Sequence, residues 1–343
     1  MSMCLAPPAV PGAIVEQQRA LRLARRHVQM PYTDHRRTIE QMGAEGRGFD
    51  AGRAVGDEGA TDVHELLTPP EEPSADPGLF GPDSVTWQVI ADPVLVLGGV
   101  RSLLLQALHP VAMSAVADHS SFREDPWGRL LRTAEYVGAT TYGTTLEAQR
   151  AAARVRGVHR RIRGVEPASG RAYRADDPDL LLWVHCAEVE SFYSTVQRCG
   201  AGLGPDAGDR YYAEQVTGAE LIGIDPEVVP TTEAAMREYF ATIRPQLGLS
   251  PQAREVARFV MLPPIERPMV YAGRPLWAAF AGLAFAMLPR WARRMYSLPG
   301  LPTTDLVASL QGRALRSALM TLPRSRREGP HLTAAKTRLG ITD

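Results

Sequence analysis

The sequence predicts an all-α protein: one helical domain preceded by an irregular amino-terminal arm. From Trp87 onward, apolar residues recur every three to four positions, which is the period of an amphipathic helix. No segment alternates apolar and polar residues for long enough to predict a sheet, and the sequence shows no internal repeat. Residues 1–83 are rich in Gly, Pro, Asp and Glu and contain the segment PPEEPSADPG, which is typical of an irregular arm or lid.

The predicted helices follow one another through short connections. One helix is expected within the arm, at 12–29. The domain, 84–322, opens with two helices that break near His109 and Pro110, and a short loop at 165–174 precedes the helix that carries His185. The other expected helices lie at 126–142, 144–164, 178–199, 209–221, 232–245, 253–259, 276–288 and 304–320. The polar tail at 323–343 is expected to be loose.

The composition excludes several classes of function. The 343 residues include 38 basic and 38 acidic side chains, which cancel, so neither nucleic acid nor an anionic membrane is expected as the main partner. Lys336 is the single lysine, and every other cation is an arginine. The cysteines, Cys4, Cys186 and Cys199, form no CxxC pair or zinc pattern, which favours a reducing compartment.

The sequence also favours a cytoplasmic location. Its amino terminus lacks the basic and apolar regions of a signal peptide. The longest apolar run, at 275–289, is shorter than the ~20 residues that cross a bilayer, so no transmembrane segment is expected. Three arginines follow this run (Arg290, Arg293 and Arg294), which leaves peripheral membrane contact open.

A histidine in the middle of a strongly apolar helix is the first candidate functional residue. Asp177 is a suitable N-cap, Pro178 suits the first helical position, and the helical period places His185 on the buried face. A buried imidazole needs partners for its ring nitrogens, either hydrogen bonds in the core or a metal or haem iron. His185-x-x-Glu188 has the spacing of an iron or manganese ligand pair, but the matching Glu-x-x-His pairs of a di-iron bundle are missing.

An arginine-rich helix precedes the His185 helix. The segment RVRGVHRRIRG, at 154–164, contains five arginines and His159, and a solvated charged face explains most of them. We expect the two helices to be neighbours in a helical hairpin. Their cationic side chains are then placed to bind haem propionates or to polarise iron-bound dioxygen. His109 and His119 are expected to be structural.

Taken in order, several segments resemble one known family. LLLQALHPVAMSAVADHSSFREDPWGRLLRT, TTYG, VHRRIRG and YRADDPDLLLWVHCAEVESF are similar to the MpaB-like oxygenases, a family shared by fungal MpaB-type oxygenases and latex-clearing rubber oxygenases. The resemblance covers about 87–263. It implies an all-α fold with a globin-like helical core and a b-type haem held by one proximal histidine.

The resemblance also implies roles for particular residues. The position that matches the proximal haem ligand is His185, and His159 matches the family's other histidine-bearing helix. Arg154 matches a basic residue on the distal side of the haem, but Val155 stands where rubber oxygenases have a threonine, so rubber-type reactivity is not expected. Glu135 lies near the position of a glutamate proposed as a base in rubber oxygenases.

Further cofactor contacts are expected on the helix at 126–142. Arg129, Arg132 and Thr133 belong to the GRLLRT segment of the family pattern, and an arginine there is a candidate partner for a propionate. Tyr142 is a candidate for the wall of the haem pocket, with packing as the alternative.

Together, these expectations describe a haem b (iron) oxygenase that acts on a small apolar substrate with dioxygen or peroxide. An electron donor is left open as a further partner. Two alternatives remain: a non-catalytic haem- or lipid-binding helical protein, which Val155 slightly favours, and an interaction protein without haem.

Overall fold

Helices form nearly all of the regular structure. The computed structural model describes residues 76–119, 126–262 and 273–341, all of which fall in one unit, Pro69–Asp343. Within these ranges there are fourteen α-helices and one two-stranded hairpin, so the predicted all-α class is confirmed. The helix expected at 12–29 and all of the expected arm before residue 76 lie outside the described residues.

The described helices lie close to their predicted positions. Before the hairpin they are α1 (Val85–Ala91), α2 (Leu95–Gln106), α3 (Pro110–His119), α4 (Pro126–Tyr142) and α5 (Thr145–His159). The hairpin strands are β1 (Arg163–Val165) and β2 (Ala172–Arg174). After them come α6 (Pro178–Arg198), α7 (Ala207–Leu221), α8 (Glu233–Ile243), α9 (Pro251–Met261), α10 (Arg274–Ala286), α11 (Arg290–Met295), α12 (Pro302–Met320), α13 (Arg324–Arg327) and α14 (Pro330–Arg338). Short 3₁₀ turns at Pro226–Val228 and Arg244–Gln246 flank α8.

Local sequence explains where α5 and α6 begin. Thr144 accepts a hydrogen bond from the Glu147 N–H, and the Glu147 carboxylate accepts one from the Thr144 N–H, which is a capping box. Asp177 is the N-cap residue of α6, and Pro178 occupies the first helical position, as the sequence predicts. The Asp177 carboxylate, however, makes no bond to its own helix and accepts one from the Arg174 N–H at 2.9 Å.

The main core lies where α2 packs along α6. Trp183 on α6 is fully buried, and its indole N–H donates to the Gln106 carbonyl at 3.1 Å. Arg101 on α2 is also buried, and its guanidinium binds both carboxylate oxygens of Glu190 at 2.7 and 3.0 Å. The same guanidinium donates to Ser191 at 2.7 Å, so α2 and α6 are joined by a polar anchor within an apolar interface.

The β-hairpin corrects the prediction that the chain contains no sheet. The helix expected at 144–164 ends at His159, and its last two predicted residues belong to β1. β1 pairs with β2, from the expected loop, in antiparallel register with Arg163 opposite Arg174. The Glu166 carboxylate accepts hydrogen bonds from the Ala168 and Ser169 N–H groups and so holds the turn. Three-residue strands are too short for an alternating apolar pattern, which is why the sequence gives no signal for them.

The carboxyl-terminal segment corrects the expectation of a loose tail. It forms α13 and α14, and α14 packs on α4. Arg338 donates to the Tyr142 carbonyl at 2.6 Å and to the Asp76 carbonyl at 3.1 Å. Lys336 forms an ion pair with Glu328 at 2.9 Å. The Arg338 contacts join residues distant in sequence, so the polar composition of the tail does not predict them.

The apolar segment considered for membrane contact forms α10. Among the described helices, none alone is long and apolar enough to cross a membrane; α1 and α2 reach that length and composition only as a pair, with a bend of 96° between them. Arg293, which follows α10, is buried and pairs with Asp305 at 2.6 Å. Its charge is therefore not available to a membrane surface, in contrast to the expectation from sequence.

Candidate functional site

His185 lies in the buried face of α6, where the sequence places it. In the described part of the chain, its Nε2 atom is buried and has no hydrogen-bond partner. Burial lowers the pKa of His185 to about 4, so the imidazole is neutral at physiological pH. A neutral, buried nitrogen without a partner carries the free-energy cost of lost hydration, and an iron ion is a chemically suitable partner for it.

α6 packs mainly on α2, apart from the pair formed by α4 and α5. The helices α4 and α5 pack along each other, and α6 packs along α2 and against α7. In the described residues, α6 has no comparable backbone packing against α4 or α5. The prediction that the His159 and His185 helices are direct neighbours is therefore wrong at the level of backbone packing. The β-hairpin links α5 to α6, which removes the need for a tight helical turn.

Glu188 lies about one helical turn beyond His185 on α6. Burial raises its pKa to about 7. Burial raises the pKa of Tyr136 on α4, the Glu188 charge raises it further, and Arg156 on α5 lowers it, so the three side chains lie within electrostatic range of one another. Glu188 is only half-buried although protein surrounds it on all sides, which means that its accessible surface faces an interior space. Sequence reasoning considered Glu188 only as an iron ligand and missed this position.

On α5, Arg156 is half-buried and near enough to Tyr136 to lower its pKa, whereas Arg154 is exposed. The buried side of α5 is marked by Ala148, Ala151 and Ala152, and Arg154 lies outside that face. The Arg156 guanidinium also donates to the Leu221 carbonyl on α7. The distal role expected for Arg154 stays a prediction, but its exposed side chain does not join the groups around Glu188.

His159, at the carboxyl end of α5, has a buried Nδ1 atom without a hydrogen-bond partner among the described residues. Burial lowers the pKa of His159, and nearby Asp176 opposes that effect. His159 and His185 are therefore two imidazoles with unsatisfied buried nitrogens on the two helices that the hairpin links. The predicted role of His159 in the haem pocket stays a prediction.

The arginines predicted on α4 lie along one stretch of that helix. Arg129 is half-buried, and burial together with the neighbouring Arg132 charge lowers its pKa. Arg132 and Thr133 are exposed, and the Thr133 hydroxyl donates to the Arg129 carbonyl at 3.1 Å. The Arg129 and Arg132 side chains therefore place two positive charges close together on α4.

An apolar cavity adjoins this part of α4. Its internal volume is about 130 Å³, and the cavity is partly open to solvent. Its walls come from α2, α3, α4, α6, α9 and α10, and they are apolar except for Gln106, Arg129 and Thr133. The apolar lining consists of Val100, Leu103, Ala107, Ala112, Met113, Val116, Leu130, Val184, Val256, Phe259, Val260 and Trp277.

Two other predicted site residues lie elsewhere. Glu135 faces α14, where its Oε1 atom is 2.9 Å from His331 Nε2, on the side of α4 where Gly138 also meets His331. Tyr142 is buried in a separate cluster with Trp87, and its hydroxyl donates to the Trp87 carbonyl at 3.1 Å. The structure does not bring either side chain to the groups around Glu188. For Tyr142, the packing alternative matches these contacts.

The described residues contain no cluster of side chains suited to bind a metal ion with several protein ligands. No group of three or more His, Cys, Asp or Glu side chains in those ranges is placed to hold a metal ion. A single histidine is nevertheless sufficient for iron when a porphyrin supplies the other ligands. The donor set around His185 therefore fits a haem better than a carboxylate-bridged iron pair.

Comparison with known proteins identifies the family. The sequence model described as "ER-bound oxygenase mpaB/B'/Rubber oxygenase, catalytic domain" matches residues 87–321. No curated protein and no solved structure matches the chain. Because the matched residues make up more than half of the chain, the protein belongs to the mpaB/rubber oxygenase family and contains its oxygenase catalytic domain.

Proposed function

We propose that this protein is a haem b-dependent oxygenase that acts on a small apolar substrate with dioxygen or peroxide. The observation that carries the proposal is the buried Nε2 atom of His185, which has no partner among the described residues. When bound, haem supplies the activation of dioxygen or peroxide that no side chain provides. The chain's own residues bind, orient and shield the reactants.

His185 is suited to hold the iron because its imidazole is neutral and its helix is fixed. The low pKa of about 4 keeps the nitrogen lone pair available without competition from a proton. The flanking Trp183 and Glu190 attach α6 to α2 through the indole hydrogen bond and the ion pair with Arg101. A ligand on a rigid helix holds its position with little loss of entropy on binding.

The other side chains of the proposed site have two roles: some bind anions, and others form an apolar surface for the substrate. Arg129 or Arg132, both in the GRLLRT segment of α4, is proposed to bind a haem propionate. The apolar cavity that contains Val184, the neighbour of His185, is proposed to receive the apolar body of the substrate and to exclude water. His159 is proposed to lie at the haem pocket through its unsatisfied Nδ1 atom.

The test begins with the absorption spectrum of protein expressed with a haem precursor, together with a pyridine haemochrome assay. We expect about one haem per chain, and we expect His185→Ala to lose the Soret band while helical circular dichroism is retained. His109→Ala is the matched control, because His109 is also buried and its pKa is also lowered to about 4. Unlike His185, His109 has a hydrogen-bond partner: at the start of α3, its Nδ1 accepts a hydrogen bond from the Ala112 N–H. This control is expected to keep its haem.

Two results would separate the alternatives. Haem-loaded protein that consumes neither dioxygen nor peroxide with any apolar alkene would favour the non-catalytic haem-binding protein. A colourless wild-type protein that also fails to take up added haemin would refute the haem proposal altogether.

A further inference from the structure

Two rows of side chains connect the apolar cavity to Glu188. On α6, Val184 lines the cavity and Glu188 lies four residues later, which places it on the same helix face one turn away. On α4, Arg129 and Thr133 line the cavity and Tyr136 continues the same row. Tyr136 and Glu188 interact electrostatically, so the two rows stay opposite each other beyond the cavity. Glu188 therefore lies one helical turn beyond the part of the cavity wall that Val184 forms.

The Glu188 carboxyl has no hydrogen-bond or ion-pair partner among the residues that the structure describes. Burial is the one cause that shifts its pKa. The Tyr211 hydroxyl on α7, whose pKa Glu188 helps to raise, is buried and also has no hydrogen-bond partner in those ranges. Burying a polar group without a hydrogen bond costs free energy, and a ligand that supplies the missing bond recovers it.

We propose that Glu188 forms a hydrogen bond with a hydroxyl group of the substrate while the apolar body of that substrate lies along Val184 in the cavity. The substrate class is then an apolar compound that carries a phenol or alcohol, not a plain hydrocarbon. This inference concerns the site of the proposed oxygenase function and specifies its substrate.

Electrostatics favour a hydroxyl over other polar groups. A pKa of about 7 means that Glu188 is present both as a carboxylate and as a carboxylic acid near neutral pH. A hydroxyl can donate to the first form and accept from the second, so it pairs with either. A ligand ammonium would have to lose its hydration in an apolar cavity, and a ligand carboxylate would be repelled by ionised Glu188.

The experiment compares two probes that differ in one hydrogen-bond donor. Binding of 4-butylphenol and of its methyl ether, 4-butylanisole, is measured by calorimetry with the full-length protein, and the absorption spectrum of each sample is recorded. We expect the phenol to bind about tenfold more tightly, as one hydrogen bond to a buried partly ionised group allows. Glu188→Met should abolish the difference, whereas Glu188→Gln, which keeps an acceptor, should retain most of it.

A carboxylate on the protein surface provides the control. Glu238 is exposed on α8, and Glu238→Met should leave the preference for the phenol unchanged. Equal binding of the two probes by the wild type, no binding of either, or a preference that survives in Glu188→Met would overturn the inference. Because calorimetry does not depend on haem, colourless protein that still prefers the phenol would count against the proposed function alone.

Discussion

Glu188 provides a sharp test of the site through the pH dependence of stability. Its pKa rises from 4.5 to about 7 on folding, because the folded protein disfavours the ionised form. Stability from this group is therefore complete below pH 4.5 and is lost as the pH rises toward 7. A shift of this size corresponds to about 3 kcal/mol, and Glu188→Gln, which cannot ionise, should avoid that loss.

The assay is thermal unfolding of the wild type and Glu188→Gln from pH 5 to pH 8, at matched haem content. Between pH 5 and pH 8, the melting temperature of the variant should rise by several degrees relative to that of the wild type. This size is expected because ~1 kcal/mol moves the melting temperature of a chain of this size by a few degrees. Other groups near Glu188 (His185, Tyr136, Arg156 and Tyr211) are present in both proteins, so the comparison isolates the carboxyl. Parallel pH profiles would refute its burial in the apolar interior.

Three further substitutions test the framework around the site. Arg101→Met should lower the free energy of unfolding by about 3–5 kcal/mol in urea titration, because it leaves the carboxylate partner of Arg101 unpaired; a loss under ~1 kcal/mol would contradict the anchor. Tyr142→Phe should cost ~1 kcal/mol through the lost bond to the Trp87 carbonyl and leave haem content unchanged, whereas loss of haem would restore its predicted cofactor role. Gly78→Ala should lower the free energy of unfolding by ~1–3 kcal/mol, because Gly78 has a φ of 75° and a Cβ there would collide with the Gly143 carbonyl. An unchanged melting temperature would exclude that close approach.

The helices were predictable because their signals are local. Asp177 and Pro178 mark the start of α6, and the 3.6-residue period correctly places His185 on its buried face. The break before α3 follows directly from Pro110. Each of these signals involves neighbours in sequence, so it does not depend on how the helices pack.

The errors concern contacts between distant parts of the chain. In an arginine-rich helix, composition does not distinguish Arg154 from Arg156, and only the phase set by the three alanines of α5 identifies the inward residue. α14 packs on α4 where Gly138 leaves room for His331. The polar sequence of this nine-residue helix does not predict that contact. Glu188 was visible in sequence one turn from His185, but the burial that raises its pKa becomes evident only in the folded structure.

The packed position of α14 has a practical consequence for following motion in this protein. Lys336 on α14 is the single lysine in the sequence, and its amine lies 2.9 Å from Glu328. An amine-reactive dye therefore has one side-chain attachment site, on the helix that covers the outer face of α4. Energy transfer from the tryptophans to that dye would report whether α4 shifts when the space behind it fills, without any engineered cysteine.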